Sequence, residues 1–131
     1  MQNTIDYYKQ NVKSFIDGTR DVNFAEIQDT FLELLPENAR ILDFGCGSGR
    51  DAKYFLEQGY MVDAIDGSLE LCIAASDYTG LNVKHMLFQE LNENEMYDGI
   101  WACASVLHVE KVKLPDIIHK MSTATKANGI I

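Results

Sequence analysis

Basic residues are scarce in this chain. It has 11 lysines and arginines against 20 aspartates and glutamates, so its formal net charge is −9 at pH 7. Proteins that bind nucleic acids usually present a basic face, and anionic membranes attract basic segments. DNA, RNA and anionic membranes are therefore poor candidates as partners, although acidity can also serve solubility alone.

Cysteines and long apolar runs are also few. Cys46, Cys72 and Cys103 show no C-x-x-C spacing and are odd in number, so neither a zinc site nor a disulfide framework is predicted. No apolar run approaches the roughly 18–20 residues that span a bilayer, and no signal peptide is recognisable. We therefore expect a cytoplasmic protein with no metal site and no membrane segment.

The segment 41–51, ILDFGCGSGRD, is the most informative part of the chain. An apolar run that contains one acid, Asp43, leads into Gly45, Gly47 and Gly49, and a charged, helix-compatible segment follows. This order predicts a strand, a tight glycine turn and the start of a helix. Glycines at such a turn let a ligand approach without meeting a Cβ atom, and N–H groups at the helix start favour electron-rich atoms.

The glycine spacing distinguishes between two classes of ligand. The dinucleotide fingerprint G-x-G-x-x-G places its third glycine five residues after the first. Here Gly49 follows Gly45 after four, and Arg50 stands where the third glycine would fall. Asp43 would repel a pyrophosphate and suits a ligand with a positive end. The segment resembles the first motif of the class I S-adenosylmethionine (SAM)-dependent methyltransferases.

This resemblance implies a fold, a cofactor and a reaction. The expected fold class is α/β, a three-layer sandwich with a mostly parallel central sheet and a Rossmann-like methyltransferase core, preceded by two N-terminal helices. SAM is the implied cofactor, and its methyl group passes to an acceptor. Acidity and the lack of an appended recognition domain favour a small-molecule acceptor. The cofactor contacts implied in the first motif are Asp43, Gly45, Cys46, Gly47 and Gly49.

The end of the second predicted strand adds to this site. Residues 60–65 form a short, mostly apolar strand that ends in Asp66, Gly67 and Ser68. Asp66 lies 23 residues after Asp43, close to the distance at which nucleoside-binding folds place a ribose-binding acid. By resemblance, Asp66 holds the ribose of SAM, and Gly67 and Ser68 lie along the nucleoside. The alternative is that Asp66 only caps the next helix, as Ser68 is expected to do.

A third predicted strand, residues 82–88, leads to the adenine side of the site. In the family, the residues after this strand contact the adenine, often through an acid. That acid is absent here. By resemblance, Phe88 packs on the adenine ring and Gln89 meets its edge.

Residues 97–109 resemble the family's fourth strand and the loop after it. Ala102 and Cys103 are then expected to offer carbonyls to the SAM ammonium, and Ser105 and His108 would face the transfer site. A general base helps only when the acceptor must lose a proton, and no catalytic residue is assigned. The candidates for a base are His108, Glu110 and Tyr7. A histidine in this apolar segment has packing as its alternative role.

The N-terminal residues 1–38 are expected to form a helical lid. A helical face in residues 5–16 predicts a first helix, in which Tyr8 belongs to the apolar stripe and Tyr7 could face a substrate. The stripe of the second helix is predicted to be Phe24, Ile27, Phe31, Leu34 and Leu35.

Residues 39–131 are expected to form the core of the same single domain. A helix is predicted from about Pro115 to Lys126, and residues 127–131 read as a turn into a fifth strand. The family's sheet normally has seven strands, so we expect a C-terminally incomplete domain. An uncovered edge of the fourth strand could then pair with a second copy of the chain.

Three functions remain open on these grounds. The first is a SAM-dependent methyltransferase, and the second is a SAM- or nucleoside-binding module without catalysis. The third is a nicotinamide-dependent oxidoreductase on a related sheet, which the glycine spacing and Asp43 disfavour.

Overall fold

The computed structural model describes residues 25–102 and 113–131, in which strands and helices alternate. The strands are β1 (Arg40–Phe44), β2 (Met61–Asp66), β3 (Lys84–His85), β4 (Tyr97–Trp101) and β5 (Thr125–Ile130). The α-helices are α1 (Ala25–Glu33), α2 (Arg50–Glu57), α3 (Leu69–Thr79) and α4 (Leu114–Ala124), and a 3₁₀ helix spans Phe88–Glu90. The first predicted helix, at residues 5–16, lies outside the described residues.

The five strands form one parallel sheet in the order β3-β2-β1-β4-β5. The central strand β1 is buried on both faces, from Ile41 to Phe44. Such burial is typical of a parallel sheet that helices cover on both sides. The predicted α/β sandwich with a parallel central sheet is confirmed.

Two apolar cores lie on opposite faces of this sheet. Ile41 belongs to the core that also holds residues of α1, α2 and α3, such as Phe55. Leu42 and Phe44 belong to the core that holds residues of α4, such as Ile117. This alternation follows the two-residue period of a strand. It directs the side chain of residue 43 towards the α2 side.

Helix α1 confirms the second predicted helix but corrects its buried face. Ile27 and Leu34, which were predicted to be in the apolar stripe, are 55% and 61% exposed. Phe31 is buried as predicted, and Gln28 and Leu32 are buried in place of Ile27 and Leu34. The physical reason is tertiary: Phe31 packs edge-on against the indole of β4, and Gln28 finds a buried carboxylate partner.

The third strand is shorter than predicted. Only Lys84 and His85 pair with β2, and the chain then turns into the 3₁₀ helix. The N–H group of Leu87 donates to the Glu90 side chain at 2.7 Å, so it does not join a strand ladder. Phe88 was therefore wrongly predicted to lie in a strand.

The C-terminal segment also differs from its prediction. Helix α4 ends at Ala124, and Thr125–Ile130 is a strand that pairs with β4 through an irregular register. Asn128 has a φ of 67° inside this strand, which accounts for an Asn-Gly pair that reads as a turn. Because β5 covers β4, the prediction of an uncovered β4 edge for a second copy is wrong.

Across the two described ranges, none of the helices combines the length and apolar character needed to traverse a bilayer.

Candidate cofactor-binding site

The strand order places a crevice at the carboxyl ends of β1 and β4. The chain moves outward from β1 to β2 and β3 and then crosses back to β4 on the other side of β1. In open parallel sheets, ligands bind at the point where the order reverses in this way. The glycine turn after β1, Asp66 at the end of β2 and Ala102 just after β4 all lie at this edge.

The glycine turn is fastened to the end of β2. The N–H groups of Gly45 and Cys46 donate to the carbonyl of Ile65 at 3.0 and 2.9 Å. The N–H group of Gly47 donates to Asp66 Oδ2 at 2.9 Å. Three N–H groups of the turn are therefore already occupied by oxygens of the protein.

Gly49 lies directly before α2, at a position that favours glycine. Its φ is +89°, in the left-handed region. A Cβ atom at this position would lie 2.9 Å from Thr79 Cγ2 and 3.3 Å from Ala75 Cβ. The glycine therefore serves both the turn and the close approach of α3.

Asp43 of β1 is a buried acid next to the start of α2. It is 2% exposed, and its carboxylate accepts a hydrogen bond from the backbone N–H of Ala52. Its Oδ2 atom has no hydrogen-bond partner in the described part of the chain. Burial raises the pKa of Asp43 well above 3.8, and the charges of Asp51 and Asp66 raise it further, while Arg50 lowers it. Such an acid favours a neighbouring cation.

Asp66 connects the glycine turn to the start of α3. It is buried, and its two oxygens accept from the N–H groups of Gly47 and Ser68, each at 2.9 Å. Burial raises the pKa of Asp66, and these hydrogen bonds work against the rise. A carboxylate oxygen has a second acceptor position, so both could accept from a ligand. The ribose contact of Asp66 stays a prediction.

Ser68 caps α3 as predicted. Its Oγ accepts from the N–H group of Leu71 at 3.4 Å. Beside it, the carbonyl of Gly67 is hydrogen-bonded to His85 Nε2 at 3.1 Å. The predicted contacts of Gly67 and Ser68 with a nucleoside stay predictions.

The predicted adenine contacts lie on the 3₁₀ helix. The ring of Phe88 stacks on Phe44 with centroids 4.4 Å apart. The Lys120 ammonium of α4 donates to the Gln89 carbonyl at 2.5 Å. Contacts on both sides of the 3₁₀ helix thus fix its position, while its contacts with an adenine remain predictions.

The two described cysteines are buried free thiols. Burial raises the pKa of Cys46 well above 9.0, and Asp43 and Asp66 raise it further. Burial also raises the pKa of Cys72 to about 11. Both groups are therefore thiols rather than reactive thiolates at neutral pH.

The remaining predicted site residues lie at or beyond the end of β4 or near the N-terminus. Ala102 is described and lies directly after β4. Those outside the described residues are Tyr7, Cys103, Ser105, His108 and Glu110. In residues 25–102 and 113–131, no cluster of three His, Cys, Asp or Glu side chains could hold a metal ion.

Sequence reasoning missed a buried network around Asp51. Its carboxylate accepts hydrogen bonds from Gln28, Arg50 and Trp101. One signal was available: Gln28 precedes Phe31 by three residues, so both share a face of α1.

A cavity of about 260 Å³ lies away from this edge, beside β2 where β3 is short. Its polar lining comes from Asp63, Asn82, Lys84, Glu93 and Tyr97. It contains none of the residues of the glycine turn, so it is separate from the crevice.

Comparison with known families identifies the chain. A family model described as tellurite resistance protein TehB matches residues 6–131. The chain belongs to the TehB family. The predicted membership of the class I SAM-dependent methyltransferases is confirmed at the level of family and fold.

The names of two curated relatives of this TehB-family chain describe them as methyltransferases. The probable S-adenosyl-L-methionine-dependent methyltransferase TehB of Haemophilus influenzae is 28% identical over 95 residues, which cover 69% of this chain and 33% of that protein. The malonyl-[acyl-carrier protein] O-methyltransferase of Salmonella typhimurium is 28% identical over 109 residues, which cover 79% and 42%. The chain thus spans less than half the length of either relative.

Solved structures share the fold. A TehB-like SAM-dependent methyltransferase from Corynebacterium glutamicum has a TM-score of 0.76 at 20% identity, and the match covers 95% of this chain and 70% of that one. The 1,6-didemethyltoxoflavin-N1-methyltransferase of Burkholderia thailandensis has a TM-score of 0.73 at 26% identity, with coverages of 95% and 60%. That structure contains 1,6-didemethyltoxoflavin and S-adenosylhomocysteine.

Proposed function

We propose that this TehB-family chain binds SAM and forms part of a methyltransferase that acts on a small-molecule acceptor. The observation that carries the proposal is the buried Asp43 carboxylate with its unpartnered Oδ2 atom. A buried acid with one oxygen left without a hydrogen-bond partner is unfavourable, and a ligand with a positive end relieves it. When bound, SAM supplies a methyl group on a positively charged sulfur.

The occupied N–H groups of the glycine turn support SAM over a nicotinamide dinucleotide. A pyrophosphate binds through free N–H groups at a helix start. Here Gly45, Cys46 and Gly47 donate to the protein's own oxygens, and Asp43 occupies the N–H group of Ala52. A second negative charge at this position would be repelled.

We assign the remaining cofactor contacts along the same edge. Asp66 accepts from the ribose hydroxyls with the acceptor positions that Gly47 and Ser68 leave open. Lys120 supports the adenine side because it holds the Gln89 carbonyl. The assigned cofactor contacts are Asp43, Gly45, Cys46, Gly47, Gly49, Asp66, Gly67, Ser68, Phe88, Gln89, Ala102 and Cys103.

The protein's main contribution to catalysis is then positioning. Holding two reactants in near-attack geometry can supply about 7–11 kcal/mol of the barrier in favourable cases. Residues 39–131 form the cofactor core in this proposal, and residues 1–38 form a helical lid over it. His108 and Tyr7 are the candidates for a base where the acceptor must lose a proton.

The class of acceptor and the location are proposed on separate grounds. The Burkholderia relative, which is named for methylation of 1,6-didemethyltoxoflavin, supports a small-molecule acceptor. The net charge of −9 disfavours a nucleic acid. Cys46 and Cys72 as buried free thiols fit the reducing cytoplasm.

Isothermal titration with S-adenosylhomocysteine, with NADH as the control, tests the proposal. We expect binding of the first ligand alone. Binding of NADH alone would favour the oxidoreductase. Binding of S-adenosylhomocysteine without methyl transfer by any longer form of the protein would favour a non-catalytic module.

Asp66→Ala is the sharpest variant for this titration. It should weaken binding by roughly 1–3 kcal/mol, because ribose hydroxyls lose a buried carboxylate acceptor. Asp63→Ala is the matched control on the same strand, since Asp63 bonds Arg40 and Tyr97 rather than the glycine turn. Equal affinity of a folded Asp66→Ala variant and the wild type would remove Asp66 from the site.

A further inference from the structure

We propose that Gln28 of α1 is a positioning residue for the cofactor site, acting through Asp51 on Arg50, so that docking of α1 and cofactor binding favour each other. The inference rests on the proposed function, because it takes the crevice beside Asp43 as the SAM site. It assigns to α1 a role in cofactor affinity without any contact with the cofactor.

Asp51 is the centre of the network that carries this inference. Its Oδ1 atom accepts from Gln28 Nε2 at 2.6 Å and from Arg50 Nε at 3.0 Å. Its Oδ2 atom accepts from Trp101 Nε1 at 3.0 Å and from Arg50 Nη2 at 2.9 Å. A carboxylate has about four acceptor positions, so these donors from α1, α2 and β4 use all of them.

The side-chain amide of Gln28 forms its hydrogen bond with this network and not with solvent. It is 3% exposed and lies on the same face of α1 as Phe31 and Leu32. A buried amide is costly unless it is hydrogen-bonded, and Asp51 supplies its bond. If α1 left the core, Asp51 would lose the hydrogen bond from Gln28. Its hydrogen bonds from Arg50 and Trp101 could then rearrange.

Arg50 links the network to the cofactor acid. Its guanidinium forms a two-pronged ion pair with Asp51. The charges of both residues act on Asp43, with Arg50 lowering and Asp51 raising the pKa of its carboxyl. The next residue, Ala52, donates its N–H to Asp43. A shift of Asp51 therefore changes the electrostatic environment and the hydrogen bonding of Asp43, the acid that faces the positive end of SAM in the proposed site.

Trp101 extends the same network to the other wall of the crevice. Its ring packs edge-on against those of Phe31 and Phe55, with centroids 5.0 and 5.4 Å away, and these two rings also contact each other. The hydrogen bond from its N–H group to Asp51 restricts rotation of the indole within this aromatic cluster. Ala102, an assigned cofactor contact, is the next residue, so α1 supports the crevice at both β4 and α2.

Gln28→Met tests the inference, with Tyr54→Phe as the matched control. Methionine keeps the length of the side chain and removes the amide. Tyr54→Phe removes another hydrogen bond between α1 and α2, from Tyr54 to Asp29, which does not involve Asp51. We expect the Kd for S-adenosylhomocysteine to rise at least about fivefold in Gln28→Met, within the usual range of coupling between sites. It should be unchanged in Tyr54→Phe, whatever either change does to thermal stability.

Hydrogen exchange of the wild type provides a second measurement that does not need a folded variant. Because coupling is reciprocal, S-adenosylhomocysteine should slow exchange of the α1 amides in the wild type. Equal affinity of wild type and Gln28→Met, or α1 exchange unaffected by the ligand, would overturn the inference alone. A wild type that does not bind S-adenosylhomocysteine would overturn the proposed function as well.

Discussion

Three buried aspartates at one edge of the sheet have different surroundings, and these determine their roles. Asp51 accepts hydrogen bonds from three side chains, and Asp66 accepts two backbone N–H groups. Asp43 accepts one and leaves Oδ2 unpartnered among the described residues. The least satisfied of these acids is the one that a cationic ligand would relieve most.

Asp43→Asn should stabilise the protein in a pH-dependent way. The pKa of Asp43 is raised above its ordinary value of 3.8 in the folded state, so the folded chain binds its proton more tightly than the unfolded chain does. Stability is therefore lost as the pH rises from about 3.8 through the folded pKa, and asparagine does not ionise. We expect the variant to have the higher melting temperature at about pH 8 and a small difference near pH 4.

Asp43→Asn should also bind SAM less tightly, because the variant lacks the carboxylate that would balance the positive charge of SAM.

If the wild type were as stable as Asp43→Asn at about pH 8, the Asp43 carboxylate would have to be compensated in the folded protein.

At the scale of elements, the turn between β1 and α2 depends on the packing of α3. Gly49 has a positive φ, and a Cβ atom there would meet Thr79 and Ala75. Gly59, after α2, has a similar φ of +93° but no atom within 4 Å of such a Cβ. Substitutions at these two glycines therefore allow the cost of backbone strain to be distinguished from the cost of a steric contact with α3.

Gly49→Ala should be more destabilising than Gly59→Ala. Both variants incur the left-handed strain of about 1–2 kcal/mol, and only Gly49→Ala also pushes α3 away from the turn. Urea denaturation of both variants measures the difference in free energy of unfolding. Equal losses would mean that α3 accommodates the methyl group without cost.

At the scale of the whole molecule, net charge distinguishes SAM from its demethylated product. The chain carries −9, SAM is a cation because of its sulfonium, and S-adenosylhomocysteine has no sulfonium. A negatively charged protein steers cations towards it, and salt screens this effect over a Debye length of about 8–10 Å.

The association rate of SAM should therefore fall with ionic strength more steeply than that of S-adenosylhomocysteine. Trp101 is the single tryptophan of the chain and ends β4 beside the crevice, so stopped-flow fluorescence can follow both reactions. Equal salt dependence of the two association rates would indicate that the electrostatic potential at the crevice is not negative in the way that the net charge of the chain suggests.

The local signals of the sequence determined the α/β alternation, the glycine turn and the cap at Ser68. Each depends on residues a few positions apart, whose backbone preferences and side-chain periods can be read directly. The spacing of the glycines together with Asp43 also pointed to the class I SAM-dependent methyltransferases, although not to the TehB family within them.

Only the tertiary structure decided which face of α1 is buried, how short β3 is, and where β5 begins. It also brought Gln28 to Asp51 and Asp51 to Trp101, across separations of 23 and 50 residues. Such pairs depend on how the strands are ordered and how helices pack on them, which no local pattern encodes. The chain itself thus specifies a glycine turn beside an acid, and packing of α1, α2 and β4 determines what surrounds that acid.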